Sequence, residues 1–421
     1  MVNRERLKTL MAHEEARFLA LHPKSGEAFK NAEKVMPGGV PMSWMAKWPG
    51  AYPIFVDTAQ GAKFIDLDGN SYIDFCLGDT GSMTGHSPTP TVKAITAQMV
   101  RGITAMLPTE DAAIVSKELA RRFGLPLWQF TVSATDANRH AIRYCRMITG
   151  KSKVIVIDRC YHGSVDETFA TLDENGNTVA REGNIGAPVS LRETTRVVEF
   201  NNLAAMEAAL KHGDIAAILM EPAMTNVGIV LPDDGYLESV GELAKKYGAI
   251  WIIDETHTIS VGAGGMTAEI ASAIAKKIDR EVIDTGGIGG TLAGNALSLA
   301  AMRATLSEVL TETAFVKMIE LGDRWSDGVA AVINECNLPW HVNRLGARAE
   351  YMFLNRAPRT GAEAANASDF ELEQYLHLRL LNDGFLLTPF HNMALMSPYT
   401  TESDVDAHTE AFRKMCLELT S

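Results

Sequence analysis

Asp254 closes the apolar run Ala249-Ile250-Trp251-Ile252-Ile253 and is followed by Glu255. A strand-like stretch that carries a Trp and three Ile is expected to be buried, and this one delivers a carboxylate at its tip. An isolated buried charge is strongly disfavoured, so the carboxylate needs a cationic partner. A protonated heteroaromatic nitrogen is one such partner. A ring whose nitrogen is kept protonated can accept the electrons of a substrate carbanion. The plainer reading of Asp254 is a helix N-cap or a structural ion pair.

Other residues could complete such a site. Ser133-Ala134-Thr135 lies between a strand at 130–132 and a helix starting near Asp136. A helix start offers free backbone N–H groups and a positive dipole end to a phosphate, although Ser and Thr are also ordinary N-caps. Tyr161-His162-Gly163 follows a strand at 154–157, where an aromatic side chain could stack on a planar ring or simply fill a loop. Glu221-Pro222 ends a strand at 216–220, with Asn226 in the following loop. Thr291 sits in the glycine-rich Gly287-Ile288-Gly289-Gly290-Thr291-Leu292-Ala293-Gly294-Asn295. The run Thr285-Gly286-Gly287-Ile288-Gly289-Gly290 mimics a dinucleotide loop but lacks the preceding buried strand and the later acid. None of the eleven histidines has metal-ligand spacing. His162 and His257 read as wall residues of the site. Together these groups point to pyridoxal 5'-phosphate.

The elements that must hold these residues alternate. Helix 109–123 leads to strand 130–132, helix 136–148 to strand 154–157, and strand 197–200 to helix 202–211. Strand 216–220 leads to helix 236–247 and strand 249–253. Such alternation predicts a mainly parallel sheet covered on both faces. Open parallel sheets bind ligands beyond the carboxyl ends of their strands, where every group named above falls. Residues 3–35 read as helical up to the breaker Met36-Pro37-Gly38-Gly39-Val40-Pro41. Long apolar helices are expected at 295–311 and 314–335, and an α+β lobe after them.

At 421 residues, 46% hydrophobic, the chain has length for a large core and two domains. Its net charge of −13 argues against nucleic acid as a partner, since phosphate contacts want a basic face. No apolar run has the length of a membrane span, and the charged start lacks a signal core, which suggests a cytoplasmic protein. Cys76, Cys145, Cys160, Cys336 and Cys416 are scattered and read as free thiols.

These residues resemble the class III (subgroup II) aminotransferases of PLP fold type I, over nearly the whole chain. Glutamate semialdehyde aminomutases and β-amino acid aminotransferases are the nearest in pattern. Pro37-Gly38-Gly39 is similar to the family's N-terminal loop, and Asp66-Leu67-Asp68-Gly69-Asn70-Ser71-Tyr72-Ile73-Asp74 to its D-x-DG-x-x-Y-x-D stretch. Gly85-His86 resembles its GH turn, and Ser133-Ala134-Thr135-Asp136-Ala137-Asn138 its phosphate loop. Tyr161-His162-Gly163, Glu221-Pro222 with Asn226, Asp254-Glu255 and Thr291 match the remaining motifs. The resemblance implies a large α/β cofactor domain at 76–311 and a smaller α+β domain from 1–75 and 312–421. It implies pyridoxal 5'-phosphate or pyridoxamine phosphate as cofactor, with Asp254 on the pyridine nitrogen and Tyr161 stacking. Ser133, Ala134 and Thr135 would take the phosphate, His162, Glu221, Asn226 and His257 would support the pocket, and Thr291 would serve the partner of a homodimer with a shared active site.

Two departures accompany the resemblance. The Schiff-base lysine that follows the DE pair in the family is absent: Val261-Gly262-Ala263-Gly264-Gly265 runs straight into Met266-Thr267-Ala268-Glu269-Ile270. Lys276 and Lys277 lie on a polar helix face and are poor replacements, because a Schiff-base lysine must be deprotonated to attack. Loss of two central strands would cost more than the ~5–15 kcal/mol of a typical fold. Omitted residues are therefore favoured over deliberate removal or natural loss of the segment, and omission would leave Gly265 and Met266 far apart. The second departure is in the substrate pocket. The loop Pro41-Met42-Ser43-Trp44-Met45-Ala46-Lys47 and the segment Thr388-Pro389-Phe390-His391-Asn392 lack the arginine that grips a carboxylate bidentately. Trp44, Met45 and Phe390 then form an apolar wall, with Lys47, Arg344 or Arg348 as weaker carboxylate partners. The expected activity is amino transfer between an amine or a hydrophobic or β-amino acid and a keto acid or aldehyde. An aminomutase of the glutamate semialdehyde type is the alternative, as is a non-catalytic homologue that binds the cofactor.

Overall fold

A computed structural model describes residues 2–259, 263–277 and 288–420. Thr285, Gly286 and Gly287 of the dinucleotide-like run lie outside the described residues. The chain divides into two compact units, one of residues 1–88, 309–358 and 366–421 and one of residues 89–308 and 359–365. The N-terminal segment thus continues past residue 75, and residues 359–365 return to the larger unit.

The larger unit holds β1 (Leu127–Phe130), α1 (Ala134–Thr149), β2 (Lys153–Ile157), β3 (Thr195–Val198), β4 (Ile215–Met220), α2 (Tyr236–Tyr247), β5 (Ile250–Ile253), β6 (Ala263–Met266) and α3 (Ala268–Lys277). Four strands form a parallel sheet in the order β5-β4-β2-β3. Every residue of β4, Ile215-Ala216-Ala217-Ile218-Leu219-Met220, is buried, as a central parallel strand requires. Helix α1 starts where Ser133 Oγ accepts the Asp136 N–H, and α2 stops at Gly248, whose φ of +61° suits glycine.

The single sheet expected from the sequence is divided. β1 spans 127–130 rather than 130–132 and pairs antiparallel with β6, apart from the parallel strands. β5 is consequently an edge strand. Its residues are half-buried, and Ile253 is 42% exposed, so the deep burial expected of this run is not realised. Gly265 and Met266 occupy consecutive positions opposite Trp128 and Leu127.

The smaller unit packs helices Arg4–Leu21, Glu312–Glu335, Phe370–Asn382 and Glu402–Thr420 with two small sheets. Its core contains Trp325, Tyr351, Tyr375 and Phe412. Helix 3–35 of the sequence reading breaks at His22, before Pro23 opens a second helix, Pro23–Ala32. The D-x-DG-x-x-Y-x-D stretch is a scaffold. Asp66 accepts the backbone N–H groups of Asp68 and Asn70 and the Tyr72 hydroxyl, which ties a turn between strands Lys63–Asp66 and Ser71–Asp74. Asp74 accepts from Cys76 and Leu77 N–H and lies 2.7 Å from His86 Nε2. In the larger unit the helix expected at 295–311 runs from Ala296 to Ala304 and then widens into a π turn, Thr305–Val309.

Candidate active site

Asp254 extends the β5 ladder by donating its N–H to Met220 O at 2.8 Å, which fixes its backbone at the strand's carboxyl end. The residue is 8% exposed and lines a cavity of about 410 Å³. Its Oδ2 accepts from Asn138 Nδ2 and His162 Nδ1, both at 2.8 Å. Its Oδ1 accepts from Thr256 N at 3.0 Å and Thr256 Oγ1 at 2.5 Å. Burial alone would favour the neutral acid, but the His162 and Thr256 donors outweigh it and hold the carboxyl well below the usual carboxylate range. Asp254 is therefore an anion at neutral pH. Burial likewise disfavours the His162 cation, and the Cys160 sulfur and Asp254 reverse that, so His162 stays protonated well above its ordinary range.

The cavity is lined by polar residues that include Asp254, Asn138 and Thr131 and by apolar ones that include Ile250, Trp251 and Trp128. Ala134, at the start of α1, also lines it. Ala134 and Thr135 open the helix, so their N–H groups have no acceptor within it. Thr135 Oγ1 accepts the Ser164 N–H at 3.0 Å. Gly163 has φ of +77°, and a Cβ there would stand 2.2 Å from Thr135 Oγ1, so the Tyr161-His162-Gly163 turn can press against the helix start only with glycine. This arrangement brings an anion, a helix N-terminus and an apolar slot together, which suits a flat ligand with a protonated ring nitrogen and an anionic substituent.

Residues 44–267 match the family description Aminotransferase class-III. Glutamate-1-semialdehyde 2,1-aminomutase 2 of Staphylococcus haemolyticus is 31% identical over 420 residues, 93% of this chain and 98% of that one. A crystal structure of a glutamate-1-semialdehyde aminomutase from Pseudomonas aeruginosa superposes with a TM-score of 0.96 at 46% identity, covering 99% of both chains. A structure of its lysine-to-alanine variant in complex with PMP superposes equally well, with a TM-score of 0.96. An omega-transaminase from Sphaerobacter thermophilus, 24% identical over 94% of this chain and 98% of that one, shares the fold with a TM-score of 0.83.

This chain belongs to the class III aminotransferase family. The fold is PLP fold type I, and the family's cofactor is pyridoxal 5'-phosphate. The donor set fits that group at two points and misses it at a third. The ionised Asp254 suits a pyridinium nitrogen. Four donors already fill the roughly four lone-pair sites of its carboxylate, and the Thr256 hydroxyl is the one that can rotate away. The α1 start suits a phosphate. Among the described residues no lysine lines the cavity. Lys276 is exposed, and the Lys277 side chain lies outside the described residues.

The remaining expected residues divide. Ser133 is exposed, and its hydroxyl is occupied by Asp136, accepting the N–H at 3.2 Å and donating to Oδ2 at 3.0 Å. Tyr161 is half-buried and meets Phe169 edge-to-face at 6.3 Å. Asn226 Nδ2 donates to Arg159 O at 2.8 Å, a loop-holding contact. Glu221 is buried and linked through Thr225 to His257. Thr291 is exposed. In the smaller unit Trp44 meets Phe390 edge-to-face at 4.7 Å, with Lys47 Nζ 5.4 Å and 5.8 Å from their ring centres, and Met45 is exposed nearby in sequence. Arg344 pairs with Asp323 and Asp327 on the surface, and Arg348 is buried with Nη1 3.2 Å from Met393 Sδ. Asn138 and Thr256 are the residues the sequence reading passed over. A buried Asn in the second turn of a helix needs a partner, and that rule could have singled out Asn138.

Proposed function

We propose that this chain holds pyridoxamine 5'-phosphate without a covalent lysine link and carries out amino-group transfer of the glutamate-1-semialdehyde aminomutase kind. The observation that carries the reading is the ionised Asp254 in the lining of the cavity of about 410 Å³. The relatives' names support the 2,1-aminomutase form over transfer between two separate molecules. The PMP complex of a lysine-lacking relative supports retention of the cofactor by non-covalent contacts.

In this reading, Asp254 holds the ring nitrogen protonated, with His162, Asn138 and Thr256 orienting its carboxylate. The N–H groups of Ala134 and Thr135 take the phosphate, and Tyr161 flanks the ring. The cofactor, when bound, supplies an electron-accepting ring. The active form is a homodimer with Thr291 serving the partner's phosphate. Val100, Ile103, Met106, Leu107 and Leu292 support that assembly as large exposed apolar residues, and the Ala296 N–H bond to Ile103 O places the two segments side by side.

A second reading, a non-catalytic homologue that only binds the cofactor, is favoured by a cavity lining with no lysine among the described residues. Calorimetric titration with pyridoxamine phosphate, followed by addition of glutamate-1-semialdehyde, tests both. Binding and movement of the amino group between carbons 2 and 1 are expected. Binding without turnover would select the second reading, and no binding would reject both.

A further inference from the structure

Asn138 stands in the second turn of α1, lines the cavity and is 6% exposed. Its amide nitrogen reaches two acceptors, Asp254 Oδ2 at 2.8 Å and the His162 carbonyl at 3.2 Å. A side-chain amide has two N–H protons, so both are spent, and a flipped amide would set its oxygen against two acceptors. His162 Nδ1 meets the same Asp254 Oδ2 at 2.8 Å. Asn138, His162 and Asp254 thus close a triangle that joins α1, the turn after β2 and the end of β5.

The same turn meets α1 a second time. The Ser164 N–H donates to Thr135 Oγ1 at 3.0 Å, and Gly163 approaches Thr135 so closely that a Cβ would stand 2.9 Å from the Thr135 Cα. Thr135 and Asn138 are three residues apart and share a face of the helix. Two attachments, one helical turn apart, oppose any pivoting of the 161–164 turn on α1. The N–H groups at the α1 start and the Asp254 carboxylate therefore belong to one braced frame, and the distance between them is set before a ligand arrives. A preset geometry raises affinity by removing the cost of ordering the site. It does so most for a ligand whose two ends match the span, because the second contact is then intramolecular.

We propose that Asn138 is a specificity-determining residue of this site: by tying α1 to Asp254 it fixes the span between the phosphate-binding helix start and the ring-nitrogen carboxylate, and so sets the preference for phosphorylated over unphosphorylated pyridoxamine. The proposal rests on the functional reading above and deepens it. Orientation of the carboxylate alone would help both ligands equally, since both carry the ring nitrogen. Bracing of the span helps only the ligand that also reaches the helix start. Thr135, through the Ser164 N–H, is the second positioning residue of the same frame.

Competitive calorimetry on the full chain, with pyridoxamine phosphate and pyridoxamine as the two probes, tests the proposal. The wild-type chain should prefer pyridoxamine phosphate. Asn138→Ala should lower the ratio of the two affinities by about 10-fold, the scale of one hydrogen bond to a charged group. Thr135→Val keeps the helix N–H, removes the acceptor of the Ser164 N–H, and should lower the ratio as well. An unchanged ratio in Asn138→Ala, whether both affinities fall alike or neither falls, overturns the proposal and leaves Asn138 serving the carboxylate alone. A wild-type chain that binds both probes equally overturns it too. If Asn138→Ala does not fold, Thr135→Val decides, and an unchanged ratio there is the refuting result. A wild-type chain that binds no pyridoxamine phosphate defeats the functional reading itself, so the wild-type isotherm tells the two failures apart.

Discussion

Replacing Asp254 by Asn tests the electrostatic centre of the site. The carboxylate is nearly isosteric with the amide, so the change removes charge rather than volume. A hydrogen bond to a charged group contributes about 1.5–3 kcal/mol net. Loss of a pyridinium contact should therefore weaken pyridoxamine phosphate by roughly 10- to 150-fold. The same substitution affects the fold. The amide turns an N–H either toward Thr256 or toward the Asn138 and His162 donors that now meet Oδ2. One buried donor left unmatched costs about 1–3 kcal/mol, which a fold of ordinary stability survives. A ligand comparison separates the two effects. An analogue with carbon in place of the ring nitrogen should bind wild-type protein as weakly as pyridoxamine phosphate binds Asp254→Asn, and should bind the variant no worse. Thr256→Ala, which frees one lone pair of Oδ1, should leave pyridoxamine phosphate affinity undiminished. Calorimetry reads all of these affinities, and urea unfolding monitors the fold. Equal losses for both ligands in Asp254→Asn, or no loss for either, would refute the assignment of the carboxylate to a ring nitrogen.

Gly163→Ala should destabilise the protein by about 1–3 kcal/mol in urea unfolding, because a Cβ at φ of +77° would stand 2.2 Å from Thr135 Oγ1. It should also weaken phosphate-bearing ligands, since the helix start must shift. His408 is fully buried among Phe75, Trp325, Phe385 and Phe412 with no partner on either ring nitrogen, and burial pushes its value down to about 3. Between about pH 6.5 and about pH 3 the unfolded chain binds a proton there that the native chain does not, so stability falls on acidification by about 1.4 kcal/mol per pH unit. His408→Leu should flatten that acid limb in unfolding measured at pH 7, 6 and 5; an unchanged slope would mean that other groups set it. Met106→Glu with Leu107→Glu, at residues 76% and 75% exposed, should convert the proposed dimer to a monomer in sedimentation. A single species of unaltered mass would remove this patch from the interface.

Much of the larger unit was legible because its strands carry their own signals. Ile215-Ala216-Ala217-Ile218-Leu219-Met220 has no polar residue, and it is the buried centre of the sheet. The helices 236–247 and 110–123 are bounded by Gly248 and Gly124, both with positive φ. Local pattern failed where long-range pairing decides. Leu127-Trp128-Gln129-Phe130 is fixed by its register with Ala263–Met266, a segment of Ala, two Gly and Met with no strand signal of its own. At the site, Asp254 was legible from its position, whereas its partners Asn138, His162 and Thr256 come from three separate places in the chain. The D-x-DG-x-x-Y-x-D stretch shows the reverse. Asp66 and Asp74 end on backbone N–H groups within a few residues and Asp68 on those of Lys24 and Ser25, so a family motif can record backbone scaffolding and not a chemical role.

The edge of β5 and the β1–β6 ribbon line one cavity. Among the described residues β5 pairs with β4 alone, and the cavity that it lines is also bounded by Trp128, Gly264, Gly265 and Met266 of the β1–β6 ribbon. The Gly265–Met266 junction lies within that ribbon. Ile253 is 42% exposed, and the Trp251 indole N–H is buried without a hydrogen-bond partner. An unpaired edge next to a cavity leaves strand N–H and C=O groups without a ladder. The Asp254 carboxylate nevertheless stays fixed, because its restraints come from the β4 side through Met220 O, from α1 through Asn138, and from the turn after β2 through His162. None of these crosses the open edge. The anion can therefore persist in a chain that lacks the lysine, which is why ligand binding and covalent trapping are expected to separate in this protein.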